Sequence, residues 1–241
     1  MDVAEHIEEL AAHGPPLAAA ADRAGWDAPV PATRWKVRDL VVHVGGIHRW
    51  AADIVTTGAT EFGTDAGRTV GKGPADADLL DWFLTGHAAL VDALRRAPAN
   101  LQCATFLPAP SPLAFWARRQ AHETAIHRAD AEAAAGVSPL FSAAFAQDGM
   151  SEMLLGFARR KSNAVGSAAT ISLRASDGPA WLITLGGERI AAGEDDSPAQ
   201  ATMTGTSSDL YLWLWNRPSA AAVGGDAELA ALWRAVRVRW G

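Results

Sequence analysis

Glu123 and His127 stand four residues apart in the stretch LAFWARRQAHETAIHRADAEAAA. In a helix that spacing puts both side chains on one face, on successive turns. A carboxylate and an imidazole so placed offer two ligands to a divalent ion without bending the backbone. Asp130 continues the stripe three residues further on. The same spacing also describes a solvated ion pair on the face of an arginine-rich helix, and on spacing alone both readings stand. His122-Glu123 begins like the zincin pattern H-E-x-x-H, but the next histidine arrives one residue late. His122 and His127 lie about 140° apart around a helix, so they cannot chelate one ion, and a zincin-type protease is excluded.

The remaining histidines are weighed by their place on apolar stripes. His43 sits between Leu40 and Ile47 and should point into a core, as a ligand or as a hydrogen-bonded core histidine. His48 faces away from that stripe and reads as a rim residue. His87, between Phe83 and Val91, is a reserve ligand, while His6 and His13 read as surface residues. Gly45-Gly46 directly follow His43 and its neighbour, at a cost of about 1 kcal/mol each against alanine in a helix. They mark either a site or a close helix contact. The single cysteine, Cys103, has no basic neighbour in sequence to favour its thiolate, which makes it a poor nucleophile. One cysteine also rules out an internal disulfide and thiolate-rich zinc sites, so any metal must be held by His, Asp and Glu. No histidine follows His127, and every imidazole ligand must come from the N-terminal half.

Four helices must position these groups. The first spans about 3–24 and should break or bend at Gly14-Pro15-Pro16, because proline lacks the helix donor and clashes with the preceding turn. The second covers 35–57, with Thr33 as cap and Gly58 as stop. The third covers 76–97, and the fourth starts at Ser111-Pro112, a cap followed by proline at the first helical position, and runs to Gly136. Amphipathic helices joined by loops predict a bundle able to host a metal in its core. A further helix at 140–158 precedes short β-like runs at 168–175, 180–185 and 200–205. Ser176-Asp177-Gly178-Pro179, Gly186-Gly187 and Gly193-Glu194-Asp195-Asp196 read as turns between them. Helices at 207–216 and 226–237 close the chain. The fold class is therefore α+β in two domains, 1–140 a helical bundle and 141–241 a small α/β domain with a short, mostly antiparallel sheet.

Composition narrows the function classes. The chain has 241 residues, 49% hydrophobic and 20% charged, an ordinary globular balance. A net charge of −6 provides no basic face, which argues against nucleic acid as a partner. No apolar run reaches the length of a membrane span, and the acidic start MDVAEHIEELAAHG is unlike a signal peptide, so a cytoplasmic protein is expected.

The blocks VPATRWKVRDLVVHVGGIHRWAADIV, FWARRQAHETAIHRADAEAAAG, ATMTGTSSDLYLWLWNRP and GGDAELAALW, in that order, resemble the mycothiol-dependent maleylpyruvate isomerase family over almost the whole chain. The resemblance implies a DinB-like metal-binding four-helix bundle followed by a sterol-carrier-like domain. It implies a divalent metal, zinc foremost, held by His43 in the first block and by Glu123 and His127 in the second. It implies mycothiol as the thiol cofactor and a small electrophilic, maleylpyruvate-like substrate. Zinc with three protein ligands keeps a position for a thiol, which it ionises. Thiolate addition would turn the double bond into a rotatable single bond before elimination. Arg217, in the Trp-Asn-Arg-Pro motif, matches a family arginine and is the candidate catalytic residue for the substrate carboxylates; its alternative is a helix-terminal arginine meeting the C-terminal dipole. The sequence departs from the family where Ala32-Thr33-Arg34 stand in place of Cys-Pro-Gly, and where His122 replaces an arginine. A mycothiol S-transferase, or a non-catalytic protein binding metal or an apolar ligand, are the alternative functions. A monomer or homodimer without membrane association is expected.

Overall fold

A computed structural model describes residues 1–62 and 71–236. The chain divides into two compact units, the first Met1–Pro139 and the second beginning at Leu140.

The first unit is a four-helix bundle of α1 (Val3–Ala24), α2 (Val37–Thr57), α3 (Leu79–Arg96) and α4 (Pro112–Ala134). Helix α4 packs against α1 and α2, and α3 against α1 and α2. Its start is the one the sequence announces: Ser111 caps it, the side chain accepting from the Ala114 N–H at 3.1 Å, with Pro112 in the first position. Gly58 ends α2 in the left-handed conformation at φ 67°. Thr33 is not the cap of α2. Its hydroxyl accepts from the Trp35 N–H and donates to the Val30 carbonyl, shaping the turn ahead of a helix that begins only at Val37.

The expected break in α1 is absent: the helix runs through Pro15 and Pro16. Pro15 cannot donate to the Ala11 carbonyl, and that carbonyl instead accepts a hydrogen bond from His87 of α3. The His87 ring lies where a Cβ on Gly14 would stand, so the glycine admits the histidine that replaces the missing backbone bond. His87 is thus occupied as a helix brace rather than a reserve ligand, and burial pushes its pKa below the ordinary value. Gly14→Ala should lower stability by more than about 1 kcal/mol in urea unfolding, although alanine normally stabilises a helix interior. An unchanged or raised midpoint would contradict the brace.

Gly45 also serves packing, since a Cβ there would collide with the Trp82 ring of α3. His48, expected at the rim, is fully buried, and His6 and His13, expected at the surface, are buried too. Helix α2 is covered on two sides, by α3 and α4, so the face away from His43 is core as well. His48 Nε2 lies 2.8 Å from Thr124 Oγ1, whose proton goes to the Gln120 carbonyl; His48 is therefore the donor. Burial holds its pKa well below the ordinary value and keeps it neutral.

The second unit opens with α5 (Ala143–Glu152), capped by Ser142 and followed by a wider turn at Met153–Phe157. A five-stranded sheet follows in the order β3-β2-β1-β4-β5, formed by β1 (Ala169–Ala175), β2 (Ala180–Leu185), β3 (Ala191–Glu194), β4 (Ala201–Gly205) and β5 (Ala222–Gly225). Only the β1–β4 pair is parallel. In register, Ile171, Ile183 and Ala201 share one buried face with Leu173, Trp181 and Met203, and α6 (Ser207–Leu214) and α7 (Ala227–Ala231) pack there. The other face carries Thr170, Thr184, Thr202 and Thr204, the alternation of a half-covered sheet. The expected turn at 193–196 is partly strand β3, which pairs with β2. The final helix is shorter than expected: α7 passes into a 3₁₀ turn, Leu232–Ala235, and residue 237 of that expectation lies outside the described residues. Among the described residues, no helix is long and apolar enough to cross a membrane.

Candidate metal centre

Helix α2 presents His43 and α4 presents Glu123 and His127, and their ligand atoms all lie within 4.8 Å of one another. Glu123 Oε1 is the hub, 3.4 Å from His43 Nε2 and 3.3 Å from His127 Nε2. The solvated-pair reading of Glu123 and His127 fails on burial, since they are 2% and 7% exposed. Helix α4 is buried on nearly every side, which removes the solvent face that an arginine-rich sequence suggests. His43 is the more open member, its side chain 22% exposed.

Groups behind His127 and Glu123 fix their orientation. His127 Nδ1 lies 2.9 Å from Asp130 Oδ2, which leaves Nε2 turned toward Glu123. A carboxylate behind a histidine in this way sets its tautomer and raises its basicity as a ligand. Arg119, one turn before Glu123, places its guanidinium 3.3 Å from Oε2. The Trp35 ring, from the turn ahead of α2, lies 4.7 Å from the His43 ring and 5.8 Å from that of His127, centroid to centroid. It walls one side of the cluster. Backbone bonds from Val30 N–H to the Trp35 carbonyl and from Val37 N–H to the Ala28 carbonyl tie down its turn.

The charges follow from this arrangement. Burial works to raise the Glu123 carboxyl, but hydrogen bonds from His127 and His43 and the charges of His127 and Arg119 outweigh it and hold it well below the carboxylate range. Burial would lower His127, yet Asp130 and Glu123 together push it up to about 9. The donor set suits a borderline divalent ion such as zinc: two imidazole nitrogens and one carboxylate oxygen, with a second carboxylate behind. A third charged residue and an aromatic wall complete the cluster, and neither Arg119 nor Trp35 was singled out by spacing.

His122 turns to the His6 ring, centroids 6.1 Å apart, consistent with its angle from His127 around the helix. Burial pushes the Cys103 thiol up, against a nucleophilic role. Arg217 follows the end of α6 and donates to the Trp215 carbonyl at 3.0 Å, the position of a helix-terminal arginine.

Comparison with known proteins covers both units. Residues 7–132 match the family described as the mycothiol maleylpyruvate isomerase N-terminal domain, and residues 144–232 match the C-terminal domain of the same family. A crystal structure of the mycothiol-dependent maleylpyruvate isomerase superposes with a TM-score of 0.64 at 12% identity, covering 94% of this chain and 95% of that one. A histidine-to-alanine mutant of that isomerase superposes with a TM-score of 0.63 at 12% identity and the same coverage. No curated protein matches the sequence. At this identity the superpositions establish the shared fold, and the matched domains establish kinship: the chain belongs to the mycothiol maleylpyruvate isomerase family.

Proposed function

We propose that this protein is a mycothiol-dependent cis–trans isomerase of a small, maleylpyruvate-like electrophile, with a divalent ion, zinc foremost, held by His43, Glu123 and His127. The observation that carries the reading is the convergence of one oxygen and two imidazole nitrogens, with the His127 ring and the Glu123 carboxylate tied from behind. When bound there, such an ion supplies Lewis acidity that ionises the thiol, whose reversible addition to the activated double bond permits rotation about it.

The protein's own residues do the rest. Asp130 holds Nδ1 of His127 and frees Nε2 for the site. Glu123 remains ionised without needing to lose a proton on metal entry. Trp35 covers two of the three ligands with an apolar surface and keeps water from that side. Arg217 is our candidate for the substrate carboxylates, and it would exchange its carbonyl partner at Trp215 for a charged one, a stronger hydrogen bond.

Product analysis tests the reading. Zinc-loaded protein given mycothiol and maleylpyruvate should release the trans isomer with the thiol recovered. Accumulation of a mycothiol conjugate would show an S-transferase instead. Protein that purifies with lipid, holds no metal and turns nothing over would show a binding protein.

A further inference from the structure

Arg119 is fully buried in the bundle, and a buried arginine is rare without a specific partner. It lies four residues before Glu123 on α4, and His127 lies four after, so Glu123 is gripped from both sides along one helix face. The two grips take different oxygens. Arg119 reaches Oε2 at 3.3 Å, while His127 Nε2 and His43 Nε2 lie 3.3 Å and 3.4 Å from Oε1. Helix spacing rather than a loop sets both separations, so neither depends on a mobile segment.

We infer that Arg119 is a positioning residue that makes Glu123 a one-oxygen ligand: it engages Oε2 and leaves Oε1 alone to face His43, His127 and an ion between them. The inference rests on the metal reading proposed above and goes beyond it by assigning the denticity of the carboxylate. A carboxylate free at both oxygens could close on an ion with both and fill a position that an incoming ligand needs. A guanidinium on Oε2 blocks that. It is always charged, and its planar fork holds a carboxylate edge in a way that a lysine ammonium does not. It also sets the charge balance. With Glu123 and Asp130 negative and Arg119 positive, a divalent ion leaves one positive charge over, which suits a single monoanionic ligand such as a thiolate.

Cobalt(II) substituted into the full-length protein reports this directly, because its visible bands weaken as coordination number rises. Wild-type protein should take up one cobalt and show the strong bands of a low-coordinate ion. In Arg119→Gln the freed Oε2 should close on cobalt, with band intensity falling at least about twofold. Arg119→Lys keeps the buried charge, and with it the fold; it should show an intermediate loss of intensity and carries the comparison if the glutamine variant does not fold. A wild-type spectrum in either folded variant overturns the inference and leaves the metal site standing. Wild-type protein that takes up no cobalt overturns the metal reading and this inference with it.

Discussion

Glu123→Gln is expected to abolish stoichiometric metal binding and also to weaken the metal-free protein by about 3 kcal/mol. Both effects have one origin. Glu123 is the hub that both histidines approach, and glutamine offers an ion a neutral oxygen in place of a charged one. It also faces Arg119, which has no exposure to water. Taking a charged partner from a buried pair costs far more than losing a surface pair, because water does not reach in to replace it. Arg119→Met in the same chain should recover much of the lost stability without recovering metal. His43→Ala should behave differently, because His43 is partly open to solvent. It should lose metal with a stability change below about 1 kcal/mol. Metal analysis together with urea unfolding in chelator checks all three, and full metal content in Glu123→Gln would remove Glu123 from the site.

Asp130→Asn should weaken metal binding by about 10–100-fold at pH 9, and by much less at pH 7. The narrowing comes from proton competition. In the metal-free protein His127 is raised to about 9, so at neutral pH an entering ion must displace a proton. Wild-type apparent affinity should rise about tenfold per pH unit up to that value and then level off. Without the Asp130 charge the His127 proton is held less tightly, so the variant meets less competition and levels off at lower pH. The sign for stability runs the other way. A folded value above the ordinary 6.5 stabilises the metal-free protein below about pH 6.5, and that contribution is lost as pH rises through about 9. Competition with a chromophoric chelator across this range measures the first trend. An affinity ratio between wild type and variant that stays constant with pH would contradict the proton held by Asp130.

Much of this architecture is legible before any coordinates. The Ser111-Pro112 start and the spacing of Glu123, His127 and Asp130 place three groups on one helix face, and both survive in the structure. The edge strands β3 and β5 carry none of the β-branched alternation that marks β1 and β2: Ala-Ala-Gly-Glu and Ala-Val-Gly-Gly form strands only because a neighbour lends its backbone. The histidines fail for another reason. Helical angle tells which side of α2 His48 occupies, but not that α3 and α4 cover both sides. The run through Pro15 and Pro16 depends on His87, more than seventy residues away, and no local rule carries that. Arg119 reads as one of several arginines on a polar helix until burial separates it from them. The pairing of His43 with α4 is likewise a tertiary fact; the family resemblance, and not the spacing, brought those residues together in the sequence.

The central claim is that His43, Glu123 and His127 form one centre at which a metal ion and a small thiol meet. Titrating mycothiol into the cobalt-substituted protein tests it most directly. One equivalent should produce a new near-ultraviolet absorption from sulfur bound to cobalt, together with a change in the visible bands. Neither signal should appear in His43→Ala treated in parallel. A cobalt-loaded wild-type protein whose spectrum does not change through a large excess of mycothiol would contradict the account.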